Sequence, residues 1–128
     1  MSYYFAKPLP AGFNEALQRV RDALRQEGFG VVTEIDLKST FKEKLGVEFR
    51  NYHILGACFP SLALLALQIE DKVGTMLPCN VVVQDAGEGR TEVAAIDPVA
   101  SMMAIDNSSL KEAAAEIRGR LRKVIQIL

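Results

Sequence analysis

No stretch of this 128-residue chain approaches the roughly eighteen consecutive apolar residues of a membrane-spanning helix; the longest run, Ser61 to Ile69, is interrupted by Gln68. The opening MSYYFAKPLPAGF lacks a basic segment followed by an apolar core, so no signal peptide is expected, and the chain reads as soluble and cytoplasmic with no membrane partner. Charge of one sign is also missing. Fifteen basic and sixteen acidic residues leave a net charge of −1, without the basic footprint of a phosphate-backbone binder, and this excludes nucleic acid as an expected partner. Cysteine and histidine are scarce, at two and one. Two cysteines in a cytosolic chain are more often buried small hydrophobes than a disulfide or a catalytic pair. Glycine forms no phosphate-cradling loop, because GEGR at Gly87 to Arg90 sits in a hairpin context. There is no internal repeat, low-complexity tract or linker.

What is present is enough apolar material for one core. Hydrophobic residues make up 49% and charged residues 24%, and the length suits a single domain over residues 1–128. Tyr3 to Phe5 reads as a short strand ended by Pro8 and Pro10. Phe13, Leu17, Val20 and Leu24 recur at helical spacing, and Gly28 stands where a left-handed residue closes that helix. A strand follows from Phe29 to Asp36, with Phe29, Val31, Thr33 and Ile35 expected on the core face. Ser39 or Thr40 is expected to cap a short helix ending at Gly46. Phe49 to Cys58 reads as a long strand, and Pro60 opens a helix to about Glu70 with Leu62, Leu65, Ala66 and Ile69 on one stripe. Cys79 to Gln84 and Arg90 to Asp97 form a hairpin. Ser108 or Ser109 is expected to cap a last helix lined by Leu110, Ala114, Ile117, Leu121, Val124 and Leu128, while Ala100 to Asn107 has no clear period. Strands adjacent in sequence and helices long enough to cover one face predict an α+β fold with a mixed, mainly antiparallel sheet.

The residues that could carry chemistry cluster in two segments, YHILGACFP at Tyr52 to Pro60 and LPCNVVV at Leu77 to Val83. Cys58 lies two residues before Pro60, near a helix N-terminus where unpaired amides lower a thiol pKa and attract anions; the alternative is a small apolar side chain packed at a strand end. Cys79 shares a strand face with Val81 and Val83, which looks like core, and Asn80 is the better polar ligand group. His53 and Cys58 are five positions apart and face opposite sides of a regular strand, so no metal site is expected. Asp97, and Glu34 with Asp36, read as solvated or capping carboxylates.

Together with EGFGVVTEIDL at Glu27 to Leu37, KEKLG at Lys42 to Gly46 and the Asp97-Pro98 strand end, these two motifs make nearly the whole chain resemble the family catalogued as domain of unknown function 302. The resemblance implies a compact α+β domain like the open antiparallel sheet of the TATA-binding-protein type, a homodimer, and no established reaction. One position departs from the pattern: Phe59 stands where the family commonly has Asn. The leading expectation is a binding or accessory module, with a small polar or anionic ligand held by Cys58, Pro60, Cys79, Asn80 and His53, and no cofactor. A thiol-dependent enzyme or redox protein using Cys58 is the first alternative, and a structural dimerisation module without a ligand the second.

Overall fold

A computed structural model describes residues 2–128 as one five-stranded sheet with helices on one face. The elements run β1 (Tyr4–Leu9), α1 (Phe13–Gln26), β2 (Gly30–Asp36), α2 (Leu37–Leu45), β3 (Tyr52–Cys58), α3 (Pro60–Ile69), a 3-10 helix (Asp71–Met76), β4 (Cys79–Asp85), β5 (Thr91–Ile96), α4 (Pro98–Ser101) and α5 (Ser108–Gln126). The strand order is β1-β5-β4-β3-β2, and every pairing is antiparallel. β4 therefore lies at the centre and β1 at an edge. That edge position lets β1 run on through Pro8, where the sequence predicts a stop, because an edge strand tolerates a missing N–H.

Alternation along the central strands places Leu55 and Ala57, Cys79, Val81 and Val83, and Val93 and Ala95 under α1 and α5. Val20 and Leu24 of α1 and Leu121 and Val124 of α5 complete this core, and all four are fully buried. Each such side chain contributes about 1.5–3 kcal/mol on leaving water. Phe13 and Leu17, expected in the same stripe, pack only at its margin. Gly28, at φ 90°, closes α1 as expected, and the Phe29 amide donates to the Leu24 carbonyl at 2.9 Å.

The core face expected for β2 is corrected by the structure. Val31 pairs with Ala57 but Thr33 pairs with Gly56, so Val32 is an extra residue in a β-bulge. The bulge reverses the alternation. Thr33 and Ile35 turn to the uncovered face, where Ile35 is 46% exposed, while Glu34 and Asp36 turn toward the helix side. The two uncertain helix starts also move by residue type. Asp36 caps α2 by accepting from the Ser39 amide at 3.0 Å, and Asn107 caps α5 by accepting from the Leu110 amide at 3.1 Å. In each case the carboxylate or amide oxygen just ahead of the serines takes the cap.

A second, smaller core gathers Ala66, Val73, Met102, Leu110 and Ala114. It joins α3, the 3-10 helix and α4 to the start of α5, and it gives the aperiodic stretch around Met102 its place. α3 itself is apolar on all sides: of its expected stripe only Ala66 is buried, and Leu64, Leu65 and Leu67 are 41% exposed or more.

Candidate functional site

The two cores leave a gap between them, where the ends of β3 and β4 run under α3 and α5. This cavity has a volume of about 270 Å³. Phe29 and Val32 close it at the β2 side, Cys58, Cys79 and Pro78 form its floor, and Ala63, Ala66, Ala113 and Ala114 face across it from the two helices. No charged residue lines it. The alanines make the space: two helices that present methyl groups to each other cannot fill the gap a leucine pair would fill.

Both cysteines reach this cavity, as free thiols, in different states of exposure. Cys79 starts β4 opposite Ala57 and is buried, which together with the neighbouring Cys58 pushes its thiol up to about 11. It stays protonated at neutral pH. Cys58 pairs with Gly30, and so projects from the other face of β3, half-buried. The pair thus shares a cavity without facing each other across the sheet.

Pro60 is the first residue of α3, as the sequence implied, but it is exposed and takes no part in the lining. The residue before it changes the chemistry of the helix start. Phe59 is the N-cap and makes no side-chain capping bond, the contact an Asn there would supply. Its ring instead meets Phe29 edge-on at 5.5 Å between centroids, with the Arg120 guanidinium 4.4 Å above it.

Asn80 and His53 do not join the cysteines. Asn80 follows Cys79 onto the uncovered face and is exposed there. His53 sits at the far end of β3 on the helix side, edge-on to Phe13 at 5.0 Å. Its Nδ1 is 2.6 Å from Glu34 and its Nε2 is 3.6 Å from Asp36, and Arg21 of α1 also pairs with Glu34. Partial burial opposes the charge on Glu34, but hydrogen bonds from Arg21 and His53 outweigh it and hold the carboxyl below its usual range. The Ser39 amide does the same for Asp36. Asp97 caps α4 through the Val99 amide and accepts from Arg118 Nε, each at 3.0 Å, which is the capping role expected for it.

Sequence reasoning missed the α5 wall of the cavity and the contribution of Val32. The alanine pairs Ala63 and Ala66, and Ala113 and Ala114, were the legible signal of close but incomplete helix packing. Val32 enters only through the bulge, which no local pattern announces.

This architecture defines an α+β open-sheet domain with an apolar cavity at the cysteine end of the sheet. The chain belongs to the family described as "Domain of unknown function DUF302", which it matches over residues 5–128. It is similar to the crystal structure of the uncharacterized conserved protein DUF302 from Bacillus stearothermophilus, at 31% identity over 98% of each chain and a TM-score of 0.89. No curated protein matches the chain. Among the described residues no helix is long and apolar enough to cross a membrane.

Proposed function

We propose that the domain is a binding module and that its ligand is a small, largely apolar molecule seated in the cavity beside Cys58 and Cys79. One observation carries this reading: about 270 Å³ of space lined by aliphatic, aromatic and thiol groups and by no charged side chain. The volume lies just below the ~300–1,000 Å³ of pockets for drug-sized ligands and well above the ~150 Å³ cavity that suffices for benzene. The polar or anionic ligand expected from the sequence would lose its hydration there without gaining donors, since Asn80 and His53 point elsewhere. A thiol-dependent or redox role has less support, because Cys79 is held protonated and the two thiols leave β3 and β4 on opposite faces.

The test is titration with the apolar fluorophore N-phenyl-1-naphthylamine. Saturable one-to-one enhancement is expected, and loss of that enhancement in Ala63→Phe, whose ring would occupy the cavity from α3. No saturable binding, or equal binding in an Ala63→Phe protein with an unchanged circular dichroism spectrum, would refute the proposal.

A further inference from the structure

The uncovered face of the sheet holds a trough of about 310 Å³, separate in its lining from the cavity between the helices except for their shared sheet. Val82 and Ala94, paired across β4 and β5, form its floor. Tyr52, Gln84 and Glu92 stand in one row across β3, β4 and β5 at one end, and Tyr4 and the exposed Asn80 stand at the other. A small floor between taller side chains makes the depression. Polar residues are ordinary on the bare face of an antiparallel sheet, but the way this row spends its hydrogen bonds is not.

The Gln84 carboxamide accepts from Arg50 Nε at 2.9 Å and donates from Nε2 to Glu92 Oε1 at 3.3 Å. One amide thus stands between a guanidinium and a carboxylate that do not pair with each other. Among the described residues the Arg50 Nη groups and the second oxygen of Glu92 have no hydrogen-bond partner. The guanidinium is nevertheless held in place, 4.4 Å from the Phe49 ring centroid and 5.5 Å from that of Tyr52, and Phe49 in turn meets Phe41 edge-on at 5.2 Å. An arginine stacked in this way presents its planar fork to a carboxylate with little side-chain freedom left to lose.

We propose that this trough binds a free α-amino acid with an aromatic side chain. Gln84 already shows the order of groups required: an acceptor turned to Arg50 and, a few bonds away, a donor turned to Glu92. An α-amino acid carries the same order at full charge, a carboxylate for the free Arg50 Nη groups and an ammonium for the free Glu92 oxygen. A lone anion would face Glu92 and a lone cation would face Arg50, whereas a zwitterion meets each with the opposite sign. With the charged groups over Gln84, the side chain runs across Val82 and Ala94 toward Tyr4 and Asn80. Four residues of strand separate Gln84 from Asn80, about 14 Å. An aromatic ring with a polar tip covers most of that span and brings the tip to the Asn80 amide, and the Tyr4 and Tyr52 rings favour contact with another aromatic ring. Tyrosine fits this description.

Isothermal titration calorimetry with L-tyrosine, tyramine and 3-(4-hydroxyphenyl)propanoate tests the proposal, since the second probe lacks the carboxylate and the third the ammonium. L-tyrosine should bind one-to-one and at least tenfold more tightly than either analogue. Arg50→Gln should abolish the preference over tyramine and keep the preference over the propanoate. Glu92→Gln should do the reverse. Both positions lie at the surface, so an unchanged circular dichroism spectrum is expected for each, and a general loss of structure would not divide the two preferences between them. Ala63→Phe, which fills the helix-side cavity, should leave L-tyrosine binding unchanged. No saturable binding of L-tyrosine, whether the face then proves free or covered by another chain, would overturn the proposal. So would an analogue binding as tightly as L-tyrosine, both preferences surviving or vanishing together in the two variants, or loss of binding in Ala63→Phe.

Discussion

Gly56→Ala should destabilise the protein, against the ordinary effect of that change within a strand. Glycine in a strand interior is normally about 0.5–1 kcal/mol worse than alanine, since it loses more backbone freedom on folding. Gly56 has an ordinary backbone conformation, so nothing in its φ forbids a side chain. The obstacle is space. A Cβ there would lie 2.5 Å from Cγ of Pro78 and would also overlap the Thr33 hydroxyl. Thr33 can rotate away, but the proline ring is held by its own backbone at the start of β4, so the strands must shift. Overpacking of this kind costs about 1–3 kcal/mol, which exceeds the backbone gain. For a domain of this length the net loss corresponds to a fall in Tm of roughly 3–8 °C. Urea unfolding followed by circular dichroism should show a lower midpoint at an unchanged m-value. Two protein concentrations separate any contribution from association. The combination of Gly56→Ala with Thr33→Ala should recover only part of the loss, since Pro78 remains. A Gly56→Ala protein as stable as the parent or more so would refute the reasoning and imply that Pro78 yields freely.

Leu121→Ala, at a fully buried position under the sheet, should cost about 2–5 kcal/mol in urea unfolding, and Leu17→Ala, at the core margin, roughly 1–2 kcal/mol; the reverse order would misplace the core. Glu34 and Asp36 are held below their ordinary values of 4.5 and 3.8, so their stabilisation is complete above those values and is lost as pH falls through the lowered folded ones. Glu34→Gln should therefore be less stable than the parent at pH 7 and converge with it toward pH 3, and a constant difference in urea midpoint across that range would contradict the assignment. Asp36→Ala should cost about 0.5–2 kcal/mol through the lost α2 cap and Asp36→Asn much less, as thermal melts can show. Brief iodoacetamide treatment of folded protein at neutral pH should label Cys58 ahead of Cys79, because Cys58 is half-buried and the Cys79 thiol is buried and pushed up to about 11. Peptide mapping that finds Cys79 labelled first would exclude the reading of the cavity floor.

The periodic elements were legible because their signals are local. Phe13 to Leu24 repeats at helical spacing, Gly28 and Gly46 punctuate where left-handed residues belong, and Cys79 to Gln84 alternates cleanly; the helix, the turns and the strand all stand in the structure. The family was legible for the same reason, its motifs being short and contiguous. The chain by itself thus determined an α+β domain with a helix-covered sheet and located both cysteines at strand ends. Tertiary structure decided what those cysteines meet. Whether Ala113 and Ala114 lie across from Ala63 and Ala66 depends on where α5 crosses α3, set by packing between residues about fifty positions apart. The phase of β2 depends on its partner, since one extra residue at Val32 reverses every later side chain and sends Glu34 and Asp36, rather than Thr33 and Ile35, toward His53. A strand's own sequence states only that its side chains alternate; which face is inside is chosen by the neighbour that buries it.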